Sequence, residues 1–228
     1  MSSPSSPQSA SLATSHPSEQ QGAIFALITI VGIILYVVID VIAQLLPPHY
    51  SPIRQPESDL AVGPYGWLMT INFLIRGLLS FALIAGLVKG TAAAARSRVG
   101  LILLGIWAAG ALLLSLFPTD LAGERVTRHG AIHLLVAVIA FLCAAVGAII
   151  ISRRFAADAA WRSFSRPALI LAVLTAIACL RTLAGVAVPG LKHVPGLTER
   201  LFLGLALLWM LVVALRLRSL PATREARH

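Results

Sequence analysis

The stretch GAIFALITIVGIILYVVIDVIAQLL, residues 22–46, contains a single charged side chain, that of Asp40. A helix rises about 1.5 Å per residue, so roughly 20 apolar residues cross the ~30 Å hydrocarbon layer of a membrane. This stretch is long enough to do so. It therefore predicts a transmembrane helix. The burial and charge of the other side chains then have to be judged against lipid rather than water.

Five further segments have the same character, and the whole chain is apolar. Hydrophobic residues make up 58% of the sequence and charged residues only 12%, whereas charged residues form about 25% of an average soluble domain. We therefore expect an all-α polytopic membrane helix bundle with six transmembrane helices, and no separate soluble enzyme. The predicted spans are residues 22–46, 66–88, 99–117, 130–152, 167–188 and 198–216.

The two ends of the chain differ from the spans in composition. Residues 1–21 are rich in Ser, Pro and Gln and contain no Lys or Arg, so we expect a disordered tail. The missing basic segment also argues against a signal peptide. Residues 217–228 are predicted to form a basic C-terminal tail.

The basic residues indicate an orientation. The net charge of +9 would suit a nucleic-acid partner, but Lys and Arg occupy short loops beside the spans, so we expect none. Eleven fall on the side of the two termini and five on the other, and the excess of positive charge on cytoplasmic loops then places both termini in the cytoplasm. The eleven are Lys89, Arg96, Arg98, Arg153, Arg154, Arg162, Arg166, Arg216, Arg218, Arg224 and Arg227; the five are Arg54, Arg125, Arg128, Lys192 and Arg200.

Several polar residues lie inside or beside the spans. Asp40 shares a helical face with Tyr36 and Gln44, and Arg76 shares one with Asn72 and Ser80, because residues four apart lie on one side of a helix. Charges at this depth are costly without partners, and we predict the pairs Asp40–Arg76 and Glu199–Arg181. Two interpretations stay open: a polar cavity in the outer half of the bundle, or ion pairs that fix helix register. The candidate cavity residues are Asp40, Asn72, Arg76, Arg181 and Glu199.

A pair of histidines offers a weak metal-binding pattern. His129 and His133 lie one helical turn apart, a spacing that zinc accepts, and Asp120 or Glu124 could supply a third ligand. No Glu follows the first His, so the zinc-protease helix motif is absent. The alternative is that His129 is an interfacial residue and His133 a packing residue. Zinc is the only cofactor that the sequence suggests.

The first outer loop reads HYSPIRQPESDLAVGPYGW, residues 49–67. It is too long for a tight turn, and its His49 and Asp59 are further candidate site residues. We expect either a lid over the outer cavity or a rigid ordered loop. The chain contains no phosphate-binding glycine loop and no nucleophile elbow, which argues against an ATP-driven machine.

Three segments on the outer side resemble a known family. They are HYSPIRQPESDLAVGPYGWLM (49–69), FPTD with TRHGAIH (117–120 and 127–133), and GLTERLFLGLALLW (196–209). In this order they resemble the bacterial integral membrane family known as domain of unknown function 998, over about residues 22–216. The resemblance implies a multi-pass protein of the bacterial inner membrane. The family has no established activity, so it assigns no role to any residue.

Three functional hypotheses remain at the level of sequence. The first is a non-enzymatic membrane protein whose outward polar cavity binds or passes a small molecule or lipid head group. The second is a metal-dependent hydrolase acting on lipid at the outer interface, built on His129 and His133. The third is a structural or partner-binding subunit. Membrane lipids are expected partners in each case.

Overall fold

The computed structural model describes residues 17–188 and 194–225, and this part of the chain contains helices and no strand. Three single 3₁₀ turns lie in the loops, at Glu57–Ala61, Ala93–Ala95 and Phe155–Ala157. The all-α prediction is confirmed for this part of the chain. The helices are α1 (Pro17–Leu45), α2 (Gly66–Gly90), α3 (Arg98–Leu114), α4 (Arg128–Arg154), α5 (Arg162–Ala187) and α6 (Pro195–Glu225).

Five of the helices, all except α3, are long and apolar enough to cross a membrane. With 17 residues, α3 is about 25 Å long at ~1.5 Å per residue and falls short of the usual span length. The polarity of the fold is inverted relative to a soluble domain: apolar side chains such as Ile34 and Leu78 are exposed, while Asn72 and Arg76 are buried. The helices are therefore those of a membrane protein.

The six helices form a closed ring in chain order, because α6 packs back against α1. Neighbours run antiparallel: Gly32 of α1 lies against Leu79 of α2, and Gly22 lies against Gly90. We call one end of the ring the basic end; it holds the loops 91–97 and 155–161 together with the start of α1 and the end of α6. The opposite end, with the loops 46–65 and 115–127 and the start of α6, is the carboxylate end.

Two helices extend into segments that the sequence assigned to tails. Helix α1 begins at Pro17, inside the predicted tail 1–21, and residues 1–16 lie outside the described part of the chain. Helix α6 continues to Glu225, through most of the predicted tail 217–228. The reason at α6 is packing, because Leu217 and Leu220 are only 2% and 4% exposed and belong to the core.

The basic end is held together by hydrogen bonds between its two loops. The Asp158 carboxylate accepts from the backbone N–H of Ala92 at 3.0 Å and from that of Ala160 at 2.9 Å. The Trp161 ring stacks on Phe155, with 4.3 Å between the ring centres. Asp158 is buried, and its bond to Ala92 joins the loop after α4 to the loop after α2.

Candidate functional site

The first loop at the carboxylate end is docked onto the start of α6. The Arg200 guanidinium donates to the Pro52 and Gln55 carbonyls at 3.1 and 3.2 Å and to the Tyr50 hydroxyl at 2.6 Å. Gly196 allows this approach, since a Cβ there would lie 2.2 Å from the Gln55 carbonyl oxygen. The loop is therefore packed against α6, and the choice between a lid and a rigid loop stays a prediction.

This docking carries a carboxylate into the bundle. Glu57 follows the docked segment and is only 3% exposed. Its Oε1 accepts a hydrogen bond of 2.5 Å from the Tyr36 hydroxyl of α1. Its backbone N–H donates to Oε2 of Glu199 on α6, at 3.1 Å. Three separate parts of the chain thus meet around Glu57.

Arg76 of α2 is a buried cation that lines the same pocket as Glu57 and Glu199. It is 2% exposed, and its guanidinium carbon lies 4.8 Å from the Trp107 ring centre and 5.2 Å from that of Phe73. The Trp107 ring is itself held by a hydrogen bond from its Nε1 to Oγ of Ser80. Within the described residues, Nε of Arg76 is buried without a hydrogen-bond partner. Aromatic faces, rather than a carboxylate, are its close neighbours.

The predicted Asp40–Arg76 ion pair is wrong. Asp40 accepts a hydrogen bond of 2.5 Å from Gln44, one turn along α1, and its side chain also hydrogen-bonds that of Glu57. The neighbours of Asp40 are therefore an amide on its own helix and a loop carboxyl, not Arg76. Glu199 accepts from Glu57, and its predicted pairing with Arg181, a half-buried residue of α5, stays a prediction.

A pocket of about 140 Å³ lies between these groups. Charged and polar side chains from four helices and two loops line it, and the rest of its wall is largely apolar. It adjoins a wider groove of about 770 Å³ at the carboxylate end, and Glu199 lines both. The polar residues of the pocket wall are Glu57, Ser58, Arg76, Thr119, His133, Thr182 and Glu199.

The pocket also reaches the lipid-facing side of the ring. Leu134 of α4 and Val186 of α5 line it and are 48% and 47% exposed. In a membrane protein such exposed apolar side chains face hydrocarbon. The pocket therefore has an edge between α4 and α5 through which an acyl chain could extend.

His133 contributes a neutral hydrogen-bonding group to the wall. Its Nδ1 lies 2.7 Å from the Phe117 carbonyl oxygen, and because a carbonyl only accepts, Nδ1 carries the hydrogen. In the neutral ring Nε2 is then an acceptor. His129, one turn earlier, is exposed and meets the Phe117 ring edge-on.

Asp120 holds in place Thr127, the residue that caps the start of α4. Its two oxygens accept from the backbone N–H and the hydroxyl of Thr127, at 2.7 and 2.8 Å, and Thr127 caps α4 by accepting from Gly130 N–H. The two bonds from Thr127 lower the pKa of Asp120. Between Pro17 and Glu225, leaving aside 189–193, no three His, Cys, Asp or Glu side chains are grouped so that they could hold a metal ion. The zinc site stays a prediction.

Two other predicted site residues lie in the first loop and do not line the pocket of about 140 Å³. His49 and Asp59 line a separate cavity of about 90 Å³ with Tyr50 and Tyr65. Burial raises the pKa of Asp59 from 3.8 to about 6, against the opposing effect of Arg200. Asn72 is fully buried in α2, and both of its amide atoms lack partners among the described residues.

The structure thus brings Arg76, Glu199 and His133 of the predicted residues to one pocket, and adds Glu57, which was not assigned to it. Tyr36 donates to Glu57 without lining the pocket, and no spacing rule links a loop carboxylate to a residue 21 positions earlier in a helix. Only the Pro-rich, mixed-charge character of the loop signalled that it was more than a linker.

The fold and the pocket define a helical membrane protein with a charged, laterally open pocket near one end. The chain belongs to the family described as Protein of unknown function (DUF998), whose family model matches residues 30–216. This confirms the resemblance drawn from the three outer segments. No curated protein and no solved structure matches the chain.

Proposed function

We propose that this protein binds a small molecule or a lipid head group in the pocket between Arg76, Glu57 and Glu199. The observation that carries the proposal is Arg76: its charge is permanent and its side chain is buried against rings, yet Nε of its guanidinium has no hydrogen-bond partner among the described residues. A buried charge in a membrane protein marks a functional site by default. An acceptor atom of a bound ligand would supply the hydrogen-bond partner that the protein does not provide.

The edge of the pocket favours a lipid over a purely aqueous ligand. Leu134 and Val186 expose apolar surface beside a polar interior, so a head group fits inside while its tail stays in hydrocarbon. The firm packing of the basic end around Asp158 supports a site entered from the carboxylate end or from the side, rather than an open channel.

The topology proposed with this function is that of a six-span protein of the bacterial inner membrane with both termini in the cytoplasm. Sorted by the sequence segments between the predicted spans, eleven Lys and Arg fall on the side of the termini and five on the other, which supports this orientation. The short helix α3 is accommodated by its long neighbours α2 and α4 or by local thinning of the bilayer. The carboxylate end then faces outward.

Native mass spectrometry of the detergent-solubilised full chain tests the proposal. The probe is an equimolar mixture of dioctanoyl phosphatidylethanolamine, phosphatidylglycerol and phosphatidylcholine. We expect the wild type to retain one lipid per chain and Ala137→Phe, which fills the pocket from α4, to retain none. The matched control is Ala109→Phe, at an exposed position of α3. Equal retention by all three proteins at matched thermal stability would refute the pocket as a binding site.

A further inference from the structure

We infer that the ligand of this pocket is a zwitterion that carries an anionic phosphate or carboxylate group next to a primary ammonium. The inference rests on the proposed function and names the class of ligand. It comes from the arrangement of charges: the pocket wall carries one guanidinium and two carboxylates, and among the described residues they form no ion pair within 4 Å of one another.

The cationic wall selects an anionic oxygen group. Trp107 and Phe73 pack against the Arg76 guanidinium, so the side chain lies against the rings and lines the pocket. A guanidinium binds carboxylate or phosphate through a planar pair of N–H donors. A buried arginine with an open donor side is therefore the element that would hold such a group.

The anionic wall selects a donor-rich cation. Glu57 uses Oε1 for Tyr36, and Glu199 uses Oε2 for the Glu57 N–H. The second oxygen of Glu199 accepts no hydrogen bond from any residue that the structure describes, and the Glu57 side chain also hydrogen-bonds that of Asp40. A primary ammonium has three donors for these carboxyl oxygens, whereas a quaternary ammonium has none.

A ligand of a single sign would fit the pocket poorly. An anion at Arg76 would lie beside two carboxylates, and a simple cation would leave the guanidinium without an acceptor; either arrangement leaves a desolvated charge uncompensated. The size agrees with a head group, because about 140 Å³ is several times the ~10–15 Å³ that a single water molecule needs. The lateral edge at Leu134 and Val186 leaves room for a tail.

Titration of the full chain in detergent with single head groups tests the inference. The probes are the three dioctanoyl lipids of the previous experiment, used separately, and free phosphoethanolamine. We expect phosphatidylethanolamine to bind at least about tenfold more tightly than phosphatidylcholine or phosphatidylglycerol, a difference of ~1.4 kcal/mol. Free phosphoethanolamine binding as tightly as its lipid identifies a soluble zwitterion; a requirement for tails identifies a lipid.

Variants connect the preference to the named side chains. Glu57→Gln and Glu199→Gln should bring the ratio between amine and non-amine lipids close to one, because the amide keeps an acceptor but loses the charge. Glu124→Gln, in the adjoining groove but outside the pocket, should leave the ratio unchanged. Thermal midpoints establish that each variant is folded.

The outcomes separate a failure of the zwitterion inference from a failure of the proposed function. Equal binding of all three lipids, unaltered by Glu57→Gln or Glu199→Gln, would overturn the zwitterion and leave the binding pocket standing. Preferential binding of phosphatidylglycerol would also overturn it and would identify an anionic ligand. Absence of binding by every probe would overturn both the zwitterion and the proposed function.

Discussion

The Tyr36 hydroxyl donates a hydrogen bond of 2.5 Å to Oε1 of Glu57, which ties the first helix to the loop that closes the carboxylate end. Both residues are buried, at 3% exposure each. Without this bond, the buried Glu57 carboxylate would lack one hydrogen-bond donor in an environment of low dielectric constant. It therefore links the stability of the bundle to the geometry of the pocket.

Replacing Tyr36 with Phe should destabilise the protein. The change removes the donor and leaves Glu57 short of one hydrogen bond inside the protein, which costs about 2 kcal/mol for a charged acceptor. The measurement is the free energy of unfolding in mixed micelles. Tyr65→Phe is the control, since Tyr65 is 39% exposed. A loss equal to that of Tyr65→Phe would mean that the Tyr36–Glu57 bond contributes nothing.

Gly196→Ala should displace the docked loop. A Cβ at Gly196 would lie 2.2 Å from the Gln55 carbonyl oxygen and 2.6 Å from that of Pro52, and backbone atoms cannot move away without breaking the Arg200 contacts. Hydrogen exchange of residues 50–57 should become faster and the thermal midpoint should fall.

Gly204→Ala provides the matched control in the same helix. A Cβ at Gly204 meets nothing within 4 Å, so this change should stabilise α6 by up to about 1 kcal/mol through helix propensity. Identical hydrogen exchange of the loop in Gly196→Ala and Gly204→Ala would show that the close approach at Gly196 is not required.

Asp59 should make the stability depend on pH in the acid range. Burial raises its pKa from 3.8 to about 6, so the folded protein holds this proton more tightly than the unfolded chain does. Its contribution therefore favours the folded state at low pH and declines as the pH rises from about 4 to about 6. Over this interval, the thermal midpoint of the wild type should fall relative to that of Asp59→Asn.

Asp120 should make the stability depend on pH in the opposite direction. The hydrogen bonds from Thr127 lower its pKa, so its contribution is complete above the unfolded pKa near 3.8 and is lost as the pH falls through the folded value. The advantage of the wild type over Asp120→Asn should therefore shrink on acidification. Parallel pH profiles for Asp59→Asn and Asp120→Asn would contradict both assignments.

Zinc should be substoichiometric in the purified protein. Asp120 uses both oxygens on Thr127, and His133 uses Nδ1 on the Phe117 carbonyl, so a tetrahedral site would have to break existing bonds. Elemental analysis should give the same low zinc content for wild type and for the His129→Ala/His133→Ala double variant. One zinc per chain in the wild type, lost in the double variant, would restore the hydrolase hypothesis.

The amino-acid sequence by itself determined the helical membrane class, because long apolar runs have no other low-energy arrangement in lipid. It also identified Arg76 and Glu199 as unusual, since a charge beside hydrocarbon is costly unless it has a partner or a function. It did not determine helix ends: α6 runs past its apolar stretch because Leu217 and Leu220 find core partners, and α3 stops at Leu114.

Only the tertiary structure decided which polar groups meet. Asp40 and Arg76 seemed matched by depth and sign, yet Asp40 bonds to Gln44 and Arg76 packs on rings. Glu57 enters the pocket because Arg200 and Gly196, more than 130 residues later, hold its loop in place. Helix periodicity is a local property of the chain and so can be read from it. The pairing of a loop carboxylate with a distant helix depends on packing, which no local pattern encodes.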